Sequence, residues 1–437
     1  MKLYSSFLTY AMLPAADFAM GTQYSRYRRI FHRLSAATRE DVHIWQRNRL
    51  AHLVRHAYQH VPFYRDFMDR EGIKESDIRT SDDLNRFPIL TKEDIQRQPD
   101  AFVPDNLSRI KYMRSATGGS TGTPFQYLLS YEAQSAIWSK RMAVLKRYGF
   151  TMGEKYLSLG STSINPSKKT SAMSDLFHKA VRIIPLSAAR IDDEMCREAI
   201  RIIKRQNIRM IYGYASALYL LAKYIEDHRV ALRVELCIST SEMLTDYYAK
   251  TIVRALGCTL INEYGARDGG LLSCKCHAGR FHVIETCLFR IAGGGKEGPI
   301  LTTNLINMAM PLINYQVGDI IKQECDMCTC GDPSQAFDDV VGRSSQYMTL
   351  SNGKTITGPA FTVLFSEMPV KYYQIVQSGP CSITVRIEKL DGFTRETEET
   401  IIGALRRQAG ETCSIQMDYN HVFAPLRNGK LEYFVTK

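Results

Sequence analysis

Between His43 and Met68 apolar residues recur at threes and fours, at Trp45, Leu50, Leu53, Val54 and Ala57. This spacing predicts a helix that runs to the turn before Ile73. Two capping signals, Ser81-Asp82-Asp83-Leu84 and Thr91-Lys92-Glu93-Asp94, flank Pro88, so a string of short helices is expected next. From Tyr112 to about Gly342 strand-like apolar runs (Tyr156 to Leu159, Ile208 to Tyr212, Leu236 to Ser239, Leu260 to Tyr264) alternate with helical ones (Asp192 to Gln206, Ser216 to Asp227). That alternation argues for a mainly α/β body. Beyond Gly342 come Tyr372 to Gln377, Cys381 to Lys389, a helical Thr394 to Ala409, Ser414 to His421 and a short strand at Leu431 to Thr436. Strands around one helix make a compact α+β unit. The expected division is 1–110, a helical region packed on the large domain; 111–342, the rest of that domain; and 343–437, the small unit, with the boundary near Arg343 to Gln346. There is no solenoid-type repeat.

At 437 residues, with 45% hydrophobic and 23% charged residues, the composition is that of a packed globular protein. Lys+Arg 56 against Asp+Glu 45 gives +11, which favours anionic partners. Part of the excess, Arg26, Arg28, Arg29, Arg33, Arg47, Arg49 and Arg55, is interleaved with apolar residues and reads as a solvated helix face. No nucleic-acid-binding module accompanies the charge, so nucleic acid is not an expected partner. No run reaches the roughly 20 apolar residues that cross a bilayer. The stretch Leu3 to Met20, whose only charge is Asp17, is diluted by Ser5, Ser6, Thr9, Tyr10 and Pro14 and reads as a retained, surface-seeking segment. The 11 cysteines are odd in number and cluster at Cys274, Cys276, Cys325, Cys328 and Cys330, which suggests metal or reduced thiols in the cytosol over a disulfide frame. Peripheral association at a membrane and a homodimer stay open.

The most specific local signal is Ser115-Ala116-Thr117-Gly118-Gly119-Ser120-Thr121-Gly122-Thr123-Pro124. Its glycines free the backbone to curl and its hydroxyls can donate to phosphate; no Gly-Lys-Ser/Thr closes it, so it is not a Walker loop. The segment resembles the phosphate loop of the adenylate-forming enzymes (acyl-CoA synthetases, adenylation domains, luciferases), Thr-Ser-Gly-Thr-Thr-Gly-Lys-Pro, with Gly118 at the usual Ser and Thr123 at the usual Lys. The family's other motifs follow in order. Ser239-Thr240-Ser241-Glu242 resembles the adenine-pocket segment. Asn262-Glu263-Tyr264-Gly265-Ala266-Arg267-Asp268 resembles the Tyr-Gly-x-x-Glu motif, with Tyr264 on adenine and Asp268 in place of the Glu that helps hold Mg²⁺. Tyr315-Gln316-Val317-Gly318-Asp319 resembles the Tyr-x-x-Gly-Asp motif, which implies that Asp319 accepts from both ribose hydroxyls. Gly342-Arg343 resembles the hinge motif, and Asn428-Gly429-Lys430 the segment carrying the mobile catalytic lysine. Leu50 to Tyr64 and Phe87 to Lys92 resemble the phenylacetate-CoA ligase group, including its capsular polysaccharide biosynthesis branch.

The resemblance implies an α/β fold: a large multi-sheet adenylate-forming N-terminal domain and a small mobile α+β C-terminal domain. It also implies an ATP- and Mg²⁺-dependent ligase that activates a small carboxylic acid as its acyl-adenylate. The acyl group then passes to an amine, hydroxyl or thiol acceptor, CoA being one such thiol. Tyr212 and Tyr214 fall where relatives line the acyl pocket, although either could equally be core. Three readings compete: a ligase serving a surface-glycan precursor, an aryl-CoA ligase, and a degenerate nucleotide-binding protein. Spacing alone offers Cys276 and His282 with Cys328 and Cys330 as tetrahedral zinc ligands, with Cys274, His277 and Cys325 as alternatives. The group's Cys-x5-His and later Cys-x-Cys-Gly pattern selects Cys276, His282, Cys328 and Cys330 for a structural zinc.

Overall fold

The computed structural model describes residues 2–116, 125–160, 179–188, 193–325, 328–343, 347–349, 355–357, 365, 368–379, 381–410, 413–423 and 434–436. The chain opens with α1 (Lys2–Phe7), a π-helical turn (Leu8–Met12), α2 (Leu13–Met20) and α3 (Tyr24–Leu34). Next come α4 (Arg39–His60), α5 (Pro62–Glu71) and α6 (Lys92–Arg97). The single helix expected over His43 to Met68 is therefore two. Pro62 has no N–H to donate and holds Val61 extended at φ −109°, ψ 113°, so α4 stops at His60, while Pro62 suits the first turn of α5. Thr91 and Asp94 form the expected capping box. Ser81 makes no cap bond; the Asp83 carboxylate instead accepts from the N–H groups of Arg79 and Thr80 at 2.9 and 2.8 Å, because a 3₁₀ turn there brings it to its own chain entry.

The body is an eleven-stranded sheet. A hairpin of β1 (Tyr112–Ala116) and β2 (Gln126–Ser130) leads into α7 (Tyr131–Arg147). The parallel half consists of β3 (Tyr156–Gly160), β4 (Ile183–Ser187), β5 (Met210–Tyr214), β6 (Leu236–Thr240) and β7 (Thr259–Ala266). Its crossovers are α8 (Asp193–Gln206), α9 (Ala215–Asp227) and α10 (Asp246–Leu256). Side-chain alternation splits the packing between the two faces. Ile211 and Cys237 pack under the crossover helices, whereas Met210, Tyr212, Leu236, Ile238 and Ile261 pack with Leu145 of α7.

The antiparallel half contains β8 (Leu271–Lys275), β9 (Phe281–Val283), β10 (Cys287–Ile291), β11 (Glu297–Asn304), β12 (Tyr315–Cys325) and β13 (Ala336–Arg343). The order is β10-β11-β12-β13-β9-β8-β7-β6-β5-β3-β4. The β13 strand meets the three-residue β9 at only two register pairs, Ala336 with His282 and Phe337 with Phe281. Helices α4 and α5 bury Leu50, Leu53, Val54, Ala57, Tyr64 and Met68 in one core with Phe281, Phe289, Tyr315 and Phe337. The amino-terminal helices are thus part of the large body.

After the hairpin β14 (Tyr347–Thr349) and β15 (Thr355–Thr357) a separate four-stranded sheet forms, in the order β18-β17-β16-β19. It consists of β16 (Val370–Gly379), β17 (Ser382–Lys389), β18 (Ser414–Asp418) and β19 (Phe434–Thr436), packed on α11 (Arg395–Ala409). Ile375, Ile383, Val385, Ile387, Ile401 and Leu405 make its core. The Tyr248 hydroxyl on α10 donates to the Lys371 carbonyl at 2.8 Å, joining this unit to the large body.

Candidate active site and metal centre

Ligands of open parallel sheets gather outside the carboxyl ends of the strands, and there β6 gives way to Ser241 in the left-handed region at φ 66°. The next residue, Glu242, accepts from the Ser216 N–H at the start of α9 at 2.9 Å, a carboxylate held at a helix N-terminus. On β7, half-buried Tyr264 donates its hydroxyl to Asp319 Oδ2 of β12 at 2.7 Å, and its ring meets Phe281 and Phe337 edge-on. One carboxylate therefore both orients Tyr264 and occupies the position expected to receive ribose. Arg343 is the register partner of Asp319 across β12 and β13.

Past β7 the chain turns sharply through Gly269 and Gly270. A Cβ on Gly269 would sit 2.5 Å from Thr302 Oγ1 and 2.6 Å from Val317 Cγ1, so only glycine lets the turn press against β11 and β12. That contact sets Asp268, which is buried and accepts from the Tyr315 hydroxyl at 2.8 Å, with Lys92 Nζ 3.6 Å from the same Oδ2. Lys92 arrives because Leu90 exchanges main-chain hydrogen bonds with the strand beginning at Tyr315. Ser115 pairs in register with Tyr127, whose surroundings include Arg267 and Asp268 and whose phenol burial pushes up. The strand that leads into the glycine loop thus runs beside Arg267, whose guanidinium lies 3.6 Å from Met113 Sδ. Thr117, Gly118, Gly119, Ser120, Thr121, Gly122 and Lys430 lie outside the described residues, as does the side chain of Arg343.

The two tyrosines expected at the acyl pocket both have buried surroundings. Tyr212 donates to buried Glu263 Oε1 at 2.9 Å, and the same carboxylate takes a bidentate pair from Arg141 at 2.7 and 2.9 Å and a bond from Thr240 at 3.1 Å. Tyr214 is 1% exposed and packs in the core under the crossover helices. Sequence reasoning did not single out Lys92, Tyr315, Arg141 or Glu263. Lys92, Tyr315 and Glu263 stood inside motifs, but none was given a role there.

Cys276, His282, Cys328 and Cys330 come together with their ligand atoms all within 4.8 Å of one another. Cys276 follows β8, His282 is in β9, and the other two lie between β12 and β13. A turn closed by Gly279 N–H on the Cys276 carbonyl, and another by Gly331 N–H on Cys328, shape the two loops. Sγ of Cys276 and Cys328 are 3.7 Å apart, and Cys330 Sγ is 3.1 Å from His282 Nε2. The other imidazole nitrogen, Nδ1, lies 3.2 Å from Ser334 Oγ, which donates to Asp332 at 2.6 Å, and Arg147 closes the chain on Asp332 at 2.5 Å. Burial pushes the His282 imidazole below its usual value. At Cys276 burial opposes ionisation, yet the N–H groups of Arg280 and Ala278 bring the thiol below its ordinary value. A neutral imidazole with one nitrogen oriented from outside, facing three soft sulfurs, is the donor set of a tetrahedral metal site. Cys274 and His277 are not in it.

No family model matches the chain. Protein CapK of Staphylococcus aureus is 22% identical over 359 residues, 79% of this chain and 78% of that protein. The phenylacetate-coenzyme A ligase of Thermus thermophilus is 23% identical over 406 residues, 84% of this chain and 86% of the ligase. Among solved structures, 2-hydroxyisobutyryl-CoA ligase in the postadenylation state with 2-HIB-AMP superposes at a TM-score of 0.69 and 15% identity, covering 90% of this chain and 89% of that one. An open conformation of the same ligase matches at 0.55. The chain is thus similar in sequence to CapK and the phenylacetate-CoA ligases, and it shares the fold of the solved 2-hydroxyisobutyryl-CoA ligase.

Proposed function

We propose that the chain uses ATP to activate a small carboxylic acid as its acyl-adenylate and hands the acyl group to an amine, hydroxyl or thiol of a surface-glycan precursor in the cytoplasm. The observation that carries this reading is convergence. Tyr264 bonded to Asp319, Asp268 held by Tyr315 and Lys92, and the strand entering the glycine loop all meet near the carboxyl edge of the sheet. The capsular resemblance, with CapK among the relatives, points to the glycan precursor.

Asp319 would receive the ribose while fixing the Tyr264 ring for the adenine, and Ser241 and Glu242 would edge the purine. The loop from Ser115 through Thr117, Gly118, Gly119, Ser120, Thr121 and Gly122 would donate to the phosphates. Asp268 fits Mg²⁺ through the oxygen that Tyr315 leaves unengaged; bound there, the ion would neutralise phosphate charge as pyrophosphate departs. Lys92 and Lys430 supply further cationic stabilisation of the charge that builds at the α-phosphate. The small unit, 343–437, would turn between half-reactions and carry Lys430 in and out, with Arg343 at the pivot. Tyr212, tied to Glu263, would bound the acyl pocket, with Tyr214 packed behind it. A structural zinc fits Cys276, His282, Cys328 and Cys330, because all four positions are filled by protein and none is left open to substrate.

The relatives named as phenylacetate-CoA ligases favour one further reading, in which the acceptor is the thiol of CoA. A hydroxylamine-trapping screen with ATP and a panel of carboxylic acids tests the activation step, and CoA-dependent ATP consumption with aryl acids separates the two acceptors. Lys430→Ala should lose most pyrophosphate exchange while sparing turnover of a supplied acyl-adenylate. Equal loss in both assays, or no hydroxamate with any acid, rejects the reading.

A further inference from the structure

Residues 2–20 form one helical segment whose two sides are both apolar. Its inner line is Tyr4, Leu8, Leu13 and Asp17. The Tyr4 hydroxyl donates to the Ala180 carbonyl at 2.8 Å, and Leu8 and Leu13 are 0% and 1% exposed. Both Asp17 oxygens are engaged, by the Thr22 hydroxyl and by the N–H groups of Tyr24 and Ser25. The step of five from Leu8 to Leu13 falls on the π-helical turn, which keeps this line on one side. The segment is therefore fastened to the body.

Its outer line is Leu3, Phe7, Tyr10 and Phe18, exposed by 88, 58, 70 and 93%. Pro14, Ala15 and Ala19 lie exposed beside them. Spacings of four, three and eight put these side chains along one stripe of about 22 Å, at 1.5 Å per residue. A fastened helix that turns large apolar side chains to water marks a surface made for something else to cover.

The rim indicates the occupant. Arg182 lies 3.9 Å over the Tyr4 ring, Arg28 lies 5.0 Å over the Tyr10 ring, and Lys111 Nζ is 3.5 Å from the Met20 carbonyl. Cations thus accompany the stripe at its middle and end, Arg182 lying on the inner line with Tyr4, and Arg29 and Arg33 of α3 add exposed positive charge. The one acid of the segment faces inward. We infer that this face lies on the surface of an anionic phospholipid bilayer, in the plane of the interface, with Phe7 and Phe18 entering the acyl boundary and the arginines meeting the headgroups. The inference does not depend on the ligase reading.

The full chain should sediment with vesicles of phosphatidylcholine and phosphatidylglycerol, more weakly at raised salt, and much less with phosphatidylcholine alone. The double variant Phe7→Ser, Phe18→Ser removes exposed side chains only, and it should bind those vesicles about tenfold more weakly or worse, with an unchanged melting temperature. Vesicles that leave the wild-type chain in the supernatant, or that hold the variant equally well, overturn the inference. So does a dimer in light scattering that the same variant abolishes while neither form sediments, since a second copy would then be what covers the stripe.

Discussion

At the scale of single residues the most consequential contact is the one between Arg141 and Glu263. Glu263 has a side-chain exposure of 2% and Arg141 one of 25%, and the two lie 122 residues apart in sequence. Burial opposes the charge of Arg141, but Glu263 restores it and holds the guanidinium above its ordinary value. Removing one partner of such a pair leaves the other desolvated, a loss of about 3–5 kcal/mol. Glu263→Leu should show that loss in urea unfolding, and Arg141→Met in the same chain should recover much of it. Tyr315→Phe keeps the ring and removes only the hydroxyl on Asp268. Adenylation should fall on the order of tenfold, and stability in urea unfolding should fall by about 1–3 kcal/mol, because the buried carboxylate loses a donor. At this scale the sequence was partly legible. Tyr264, Asp268 and Asp319 stood in motifs because each motif is short, whereas Lys92 and Arg141 reach their partners across long stretches of chain that no local pattern records.

At the scale of elements, legibility followed local chemistry. The capping box at Thr91 was readable because the donor and acceptor are three residues apart, and Pro62 could have been read as a break from its missing N–H alone. The turn through Gly269 was not readable, because what requires glycine there is Thr302 and Val317 on two later strands. Gly269→Ala should cost about 1–3 kcal/mol by overpacking and should also lower adenylation, since the turn sets Asp268. Gly279, at φ 80° with open space where a Cβ would stand, is the control: Gly279→Ala should cost about 1 kcal/mol of backbone strain and leave adenylation intact. Thermal unfolding and pyrophosphate exchange on the two variants separate the effects.

For the whole molecule, the alternating strand and helix pattern showed a mainly α/β body and a small α+β terminal unit, and the order of the motifs carried the family resemblance. The strand order did not follow, because β13 pairs on one edge with β12, beside it in sequence, and returns on the other to the distant β9. The same return brings the loop carrying Cys328 and Cys330 to His282, so the Cys and His cluster and the sheet order are two consequences of one crossing. Purified protein should contain about one equivalent of zinc, and stripping it with a strong chelator should lower the melting temperature by about 5 °C or more. Well under one equivalent, or no change on stripping, counts against the assignment. The block β10 to β13 touches the rest of the great sheet through a bridge two residues wide, and the Cys and His side chains sit at that bridge like a rivet. Backbone amides of Phe281 to Val283 should then exchange with deuterium early once the rivet is drawn, while strands on either side stay protected, and a protease should find its first cut at that crossing.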